Sequence, residues 1–343
     1  MIRTATYENF KGLRSAAVTF DSRLTVLVGP NASGKTSVLQ GIELVVNLWA
    51  DRNSVPMLAH LASAGSGADP VLQVLDETGA GFGVRHVRPA QGAQQPGAFL
   101  RISTDQVATK ELRANAATPY SPVLNPHFRS AEIAKPSVTQ TTPPPVSLEG
   151  AGLPSLLGYL KLRDDELFDR VEEHFCRVIP SVKKLRIDRS PGGGGAAGEK
   201  LLFDTAFAAK VPADQMSDGT LYILALIVAI LGPHRPKTLL IDDIDHRLHP
   251  KVQYELVTLL KQFLGEFPDL QIIATSHSPY ILDKLEPNEV RVTGLGADGS
   301  VVVAGLDEHP SFEKWKASMS PGEFWSHTGE DWLKGLRRSA LAS

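Results

Sequence analysis

The chain has 343 residues, of which 42% are hydrophobic, and its formal net charge is −3. Such a chain can bury a sizeable core, and its charge argues against a generally basic nucleic-acid-binding protein, although a local basic patch stays open. Its single cysteine, Cys176, excludes an internal disulfide and a paired-cysteine zinc site, as expected in a reducing cytoplasm.

Neither the start of the chain nor its longest apolar stretch predicts a membrane segment. Arg3, Glu8 and Lys11 interrupt the beginning, so it does not resemble a signal peptide. Residues 221–231 form the longest apolar helical run, whereas a membrane-spanning helix needs about 20 residues. We therefore expect a cytoplasmic protein without a membrane partner, in which residues 221–231 are a buried helix.

The first part of the chain predicts strands followed by a phosphate-binding loop. Residues 2–20 alternate loosely between apolar and polar, and residues 24–28 form an apolar strand. A G-x-x-x-x-G-K-T motif comes next, and a helix is predicted over residues 35–49. The motif and the residue after it are Gly29, Pro30, Asn31, Ala32, Ser33, Gly34, Lys35, Thr36 and Ser37.

This motif predicts ATP binding. Its glycines let the backbone curl so that N–H groups point at the β-phosphate, beside the positive end of the following helix. Lys35 is expected to bridge the β- and γ-phosphates, and Thr36 is expected to ligate Mg²⁺. The alternative, a plain glycine-rich turn, is disfavoured because eight fixed positions lie between a strand and a helix.

The middle of the chain predicts a subsheet, a loop and a helical insertion. Residues 71–76, 82–88 and 98–103 are strand-like and separated by glycine-rich turns, which favours an antiparallel subsheet. Residues 115–150 carry seven prolines and lack apolar periodicity, which predicts an extended loop. Residues 153–178 have helical spacing of apolar residues, without a long heptad arm.

Two later strands end in candidate catalytic groups. Residues 237–241 lead into Asp242 and Asp243, which predict a magnesium ligand and a general base for the attacking water. A buried strand that ends in a solvated acid pair is the alternative. A second strand, 271–274, leads into the sequence Thr-Ser-His-Ser-Pro, whose His277 we expect near the γ-phosphate.

The predicted apolar helix at residues 221–231 is preceded by Ser217, Asp218 and Gly219. The free N–H groups at its start and the Ser217 hydroxyl predict a second anion site. The order of motifs, with Leu-His-Pro after the acid pair, resembles the ABC-type ATPases of the RecF, SMC and OLD (overcoming-lysogenisation-defect) group over roughly residues 2–306.

The resemblance implies an α/β fold: an ABC-ATPase-like P-loop NTPase head with a central, mostly parallel sheet, an antiparallel β subsheet and a helical insertion. It implies lobes at about 1–110 and 191–306, a loop and insertion at about 111–190, and a tail at 307–343. In this family two heads form a head-to-tail homodimer around ATP. Ser217, Asp218 and Gly219 then serve the γ-phosphate held by the partner head, and residues 245–249 cross the interface.

Three positions depart from the family pattern. Asp243 stands where the family usually has glutamate, and its carboxylate reaches about 1.5 Å less far from the backbone. This shorter side chain predicts that hydrolysis is slow or needs a closed dimer. The signature is Ser-Asp-Gly, the OLD-like form, rather than the Ser-Gly-Gly of transporters. Gln106 is a weak candidate for the family's metal-sensing glutamine, and a solvated loop residue is the alternative.

The resemblance also implies two alternative biological roles. Only residues 307–343 follow the head, so a Toprim nuclease domain is not expected and effector chemistry would come from a separately encoded nuclease or toxin in antiphage defence. A RecF-like ATPase that clamps DNA is the alternative. Three tryptophans, Trp315, Trp325 and Trp332, fall in residues 307–343; they predict either a docking surface or aromatic rings that fasten this segment onto its own head.

Overall fold

The computed structural model describes residues 1–50, 70–76, 79, 81–87, 98–103, 123–138, 142–191 and 197–336. They form two compact units, each discontinuous in sequence. The first unit comprises residues 1–123, 237–245 and 267–343, and the second comprises residues 124–236 and 246–266. No helix among the described residues is both long and apolar enough to cross a membrane.

The first unit is a two-sheet α/β structure. Its strands are β1 (Ile2–Phe10), β2 (Leu13–Thr19), β3 (Leu24–Val28), β4 (Val71–Asp76), β5 (Gly81–Val87), β6 (Ala98–Ser103), β11 (Thr238–Ile241), β12 (Gln271–Ser276), β13 (Val290–Leu295) and β14 (Val301–Gly305). Its helices are α1 (Lys35–Ala50), α7 (Pro279–Leu282), α8 (Phe312–Trp315) and α9 (Pro321–Thr328), with a 3₁₀ helix at Asp331–Gly335. The two-residue strand β7 (Val123–Leu124) lies where the chain passes to the second unit.

The central sheet is mostly parallel. Its order is β14-β13-β3-β12-β11, with β7 at the edge, and only β14 is shown to pair antiparallel. All residues of β3, β11 and β12 are buried, as strands covered on both faces require. This result confirms the predicted strands, and the carboxyl ends of β3, β11 and β12 meet at one edge of the sheet.

The second sheet is antiparallel, in the order β2-β1-β4-β5-β6, which confirms the predicted subsheet. Helix α1 contacts β1, β4 and β5. At Gly41 an added Cβ would lie 2.3 Å from the Tyr7 ring, and the Tyr7 hydroxyl donates to the Val38 carbonyl over 2.8 Å. The helix that leaves the phosphate loop is therefore fixed closely on this sheet.

The second unit is a helical body with a small sheet. It contains α2 (Ser130–Ile133), α3 (Leu153–Arg163), α4 (Asp165–Val178), α5 (Asp218–Leu231) and α6 (Pro250–Glu266), and the antiparallel strands β8 (Val182–Pro191), β9 (Ala197–Thr205) and β10 (Val211–Pro212). The predicted helical insertion is present as two helices. Asp164 separates them and caps α4 by accepting from the Leu167 N–H over 3.1 Å.

The predicted extended loop at residues 115–150 is wrong at two short elements, the strand β7 (Val123–Leu124) and the helix that follows it. Residues 130–133 form the short helix α2, because Ile133 turns into the core and is 1% exposed. Residues 115–122 and 139–141 lie outside the described residues. The sequence interpretation also missed the β8–β9 hairpin. Its buried Val182 and Leu185 are three residues apart, and a register shift lies between Val182 and Lys184.

Candidate nucleotide-binding site

The phosphate-binding motif forms a tight loop between β3 and α1. Gly29 has φ +149°, and an added Cβ there would lie 2.1 Å from the Thr293 carbonyl oxygen, so no other residue fits. The Lys35 ammonium donates to the Gly29 and Pro30 carbonyl oxygens, at 2.9 and 3.0 Å. Because Lys35 is only 5% exposed, the loop encloses its ammonium group.

The loop is anchored from behind by β13. The Ser33 and Thr293 hydroxyls share a 2.5 Å hydrogen bond, and Thr293 also donates to the Val28 carbonyl over 3.0 Å. Both hydroxyl-bearing residues are buried. These hydrogen bonds therefore fix the loop backbone against β13.

Thr36 and Asp242 come together as the sequence predicts. The Thr36 hydroxyl donates to Asp242 Oδ1 over 3.1 Å. Thr275 Oγ1 donates to the same oxygen over 2.6 Å and accepts from the Asp243 N–H over 2.7 Å. Sequence reasoning assigned Thr275 no role; the parallel register, in which Ile241 pairs with Ala274, brings it beside Asp242.

Asp243 and His277 face each other, with 3.9 Å between Asp243 Oδ1 and His277 Nε2. Burial is the main cause that raises the pKa of Asp243, the neighbouring Asp242 carboxylate adds to it, and the His277 ring opposes it. A carboxylate with a raised pKa is a stronger base, so this direction suits a group that takes a proton from water.

A further acid, Asp245, holds the histidine segment. Its Oδ1 accepts from the Ser276 hydroxyl over 2.5 Å and from the His277 N–H over 3.1 Å. Sequence reasoning placed Asp245 only in an interface loop. The structure shows that its carboxylate fixes the backbone at His277.

Lys35 lies in the field of several carboxylates. Burial lowers its pKa, and Asp243, Asp242, Glu330 and Asp245, in that order of size, oppose this effect. The contribution of Glu330 was missed in the sequence, where the only signal was the repeat of Gly-Glu before two tryptophans.

The signature residues lie in the second unit. Ser217 caps α5 by accepting from the Thr220 N–H over 3.3 Å, as predicted for the start of an apolar helix. Asp218 forms an ion pair with Arg247. An added Cβ on Gly219 would lie 2.6 Å from the Arg247 carbonyl oxygen, so this position requires a close backbone approach. Gln106 lies outside the described residues.

Two family models match successive parts of the chain. Residues 1–76 match an AAA ATPase domain, and residues 125–283 match the family described as "AAA domain, putative AbiEii toxin, Type IV TA system". The fold is similar to the head of an SMC protein solved with the C-winged-helix domain of ScpA, with a TM-score of 0.58, 16% identity, and coverage of 91% of this chain and 99% of that one.

Curated relatives match shorter segments. The Septu protein PtuA of Bacillus thuringiensis is 37% identical over 78 residues, which are 22% of this chain and 19% of that protein. The DNA replication and repair protein RecF of a Synechococcus strain is 40% identical over 53 residues, 16% of this chain and 14% of RecF. Together these matches support an ABC-type P-loop ATPase of the RecF/SMC-like group.

The likeness to RecF/SMC-like heads supports the architecture inferred from the motifs. Because the alignments cover only 19% and 14% of the relatives' lengths, the activities of those whole proteins do not pass to this chain by similarity.

Proposed function

We propose that this RecF/SMC-like head binds ATP with Mg²⁺ and hydrolyses it to ADP and phosphate. The observation that carries the proposal is the 3.1 Å contact between the Thr36 hydroxyl and Asp242, beside the buried Lys35 and the Asp243–His277 pair. A hydroxyl and a carboxylate are the hard oxygen ligands that Mg²⁺ takes in P-loop proteins. When bound, Mg²⁺ supplies charge neutralisation at the phosphate oxygens.

Each side chain has a distinct role in this proposal. Lys35 exchanges its two carbonyl partners for β- and γ-phosphate oxygens, and Thr36 and Asp242 hold the metal. Asp243 accepts a proton from the attacking water, which its raised pKa supports. His277, held through Asp245, contacts the γ-phosphate and aligns the water with Asp243.

The second unit contributes the signature in trans within a head-to-tail homodimer. The α5 N-terminus offers backbone N–H groups and the Ser217 hydroxyl, a combination that suits an anionic phosphate. This unit lacks a phosphate loop of its own in the sequence, so its anion site is complete only with a nucleotide held elsewhere. The SMC-head fold supports the same arrangement.

The biological role we propose is a sensor or motor subunit that controls a separately encoded nuclease or toxin in bacterial antiphage defence. The partial match to Septu protein PtuA and the toxin-antitoxin description of one matching family model support it. Isolating the native complex tests this role. Recovery of a nuclease or toxin bound to the head supports it, and a head that co-purifies with no effector under phage infection contradicts it.

The activity itself is tested with the purified chain, Mg²⁺ and ATP. Asp243→Asn removes the base and keeps the side-chain size, so turnover should fall about 10²-fold or more while ATP binding persists. Asp188→Asn is the matched control, because it makes the same change on an exposed strand position. Equal turnover in the native chain and both variants would contradict the assignment.

RecF-like DNA clamping is the second candidate, favoured by the RecF match. If the dimer closes on duplex DNA, DNA should stimulate ATP turnover, and the stimulation should weaken steeply with salt because phosphate contacts release counterions. Turnover that is indifferent to DNA at low salt favours the effector role.

A further inference from the structure

The tryptophan-rich segment, defined here as residues 307–336, is part of the first unit and folds on an aromatic cluster. Trp315 stacks on Phe324 with 3.5 Å between ring centroids. His309 makes T-shaped contacts with Phe324 and Trp332, with centroid distances of 4.7 and 5.0 Å. Trp315 is 6% exposed. These contacts favour the interpretation in which the aromatic rings fasten the segment onto its own head.

The segment is attached first to the residues that follow His277. Asp283, directly after α7, accepts from the Ser320 hydroxyl over 2.6 Å and from the Gly322 N–H over 3.1 Å. An added Cβ on Gly322 would lie 2.2 Å from the Pro279 carbonyl oxygen. Helix α9 therefore packs directly on α7, which begins two residues after His277.

The second attachment is beside the phosphate loop. Gly294 in β13 makes room for the segment, since an added Cβ would lie 2.8 Å from Leu333 and 3.1 Å from Cβ of Glu330. The preceding residue, Thr293, forms the wall behind Gly29 and hydrogen-bonds to Ser33. The segment thus packs on α7, which follows His277 in the chain, and on Gly294, which follows the residue behind the phosphate loop.

Glu330 brings a negative charge to this position. Its Oε1 accepts from the Trp325 indole N–H over 3.0 Å, which fixes the carboxylate relative to α9. The negative charge of Glu330 raises the pKa of Lys35, as the charges of Asp242 and Asp243 do. Phosphate groups that take Lys35 as their partner also bring their own negative charge toward Glu330.

We propose that the tryptophan-rich segment is a nucleotide-responsive element and that Glu330 is its sensing residue. Glu330 and Lys35 attract each other when no phosphate is bound. ATP satisfies Lys35, repels Glu330, and loosens residues 320–336 from α7 and β13. The proposal rests on the proposed ATP binding at this site.

The test uses the full chain and compares Glu330→Gln with the neighbouring Asp331→Asn. The glutamine keeps an oxygen for Trp325 but removes the charge. Asp331 is an 88% exposed carboxylate paired with Lys334, so its variant makes the same charge change at the surface. Glu330→Gln should tighten ATP binding about three- to tenfold at low salt, with a smaller effect on ADP, which lacks the γ-phosphate. Asp331→Asn should leave both affinities unchanged.

Hydrogen exchange of residues 320–336 gives a measurement that needs no variant. In the native chain, ATP with Mg²⁺ should speed exchange there, and Glu330→Gln should abolish that response. Equal tightening of ATP and ADP, an equal effect of Asp331→Asn, or exchange that ignores ATP would overturn the sensing role while ATP binding stands. A native chain that binds no ATP would overturn the proposed function and this inference together.

Discussion

Thr275→Val tests whether one buried hydroxyl organises the metal-binding acid. Thr275 is 0% exposed, and its Oγ1 donates to Asp242 over 2.6 Å and accepts from the Asp243 N–H over 2.7 Å. Valine has nearly the same shape. The variant loses a hydrogen bond to a charged group, worth about 1.5–3 kcal/mol, and a neutral one, worth about 0.5–1.5 kcal/mol. We expect the free energy of unfolding to fall by about 2–4 kcal/mol.

Thr25→Val is the matched control for this substitution. Thr25 is also 0% exposed, lies in the adjacent strand β3, and makes a single 3.4 Å hydrogen bond to the Ser22 carbonyl oxygen. Its loss should cost less than about 1 kcal/mol, since the bond is long and neutral. Urea unfolding of both variants measures the difference.

The functional consequence of Thr275→Val is a weaker metal site. Groups that hold a metal-binding carboxylate in place typically contribute 10- to 100-fold in affinity. The Mg²⁺ concentration for half-maximal ATP turnover should therefore rise about tenfold or more in Thr275→Val and stay unchanged in Thr25→Val. Equal stability losses with an unchanged Mg²⁺ requirement would refute the assigned role of Thr275.

Three further outcomes follow from the same site. Lys35→Ala should weaken ATP binding about tenfold or more in equilibrium titration, a loss of at least about 1.4 kcal/mol; unchanged binding would reject the phosphate loop. Turnover should fall with acidification through a pKa of Asp243 that burial raises above its usual range, because the base must be unprotonated, and a profile without this acid limb would exclude Asp243. Ser217→Arg and Lys35→Ala proteins, each inactive alone, should regain turnover when mixed if one composite site suffices; full activity of Ser217→Arg alone would deny action in trans.

The parts of the fold that the sequence predicted are those with local signals. The apolar runs of β3, β11 and β12 predict buried parallel strands, and the glycine spacing after β3 predicts the loop that encloses Lys35. The meeting of Thr36 with Asp242 then follows from parallel strands that end at one edge.

The residues that were missed act through contacts distant in sequence. The Thr275 hydroxyl donates to Asp242 because strand pairing places the end of β11 beside β12. At the same two strand ends, Asp245 accepts from the His277 N–H. Glu330 influences the pKa of Lys35 because the tryptophan-rich segment packs on Gly294. No periodicity or motif encodes these pairings. The missed β8–β9 hairpin carried only a short alternation over residues 185–188, because two lysines and a register shift separate Leu185 from Val182.

The backbone at Asp243 explains why this site carries the shorter acid. Its φ is +50°, in the left-handed region, where aspartate is enriched among non-glycine residues because its short polar side chain hydrogen-bonds locally. Glutamate would gain about 1.5 Å of reach but is less common than aspartate at this φ. Under the proposed mechanism His277 compensates for the shorter acid, because its Nε2 lies 3.9 Å from Asp243 Oδ1 and can hydrogen-bond to the attacking water together with Asp243. In that mechanism the acid and the histidine act as one unit, so the proposal does not require the usual glutamate.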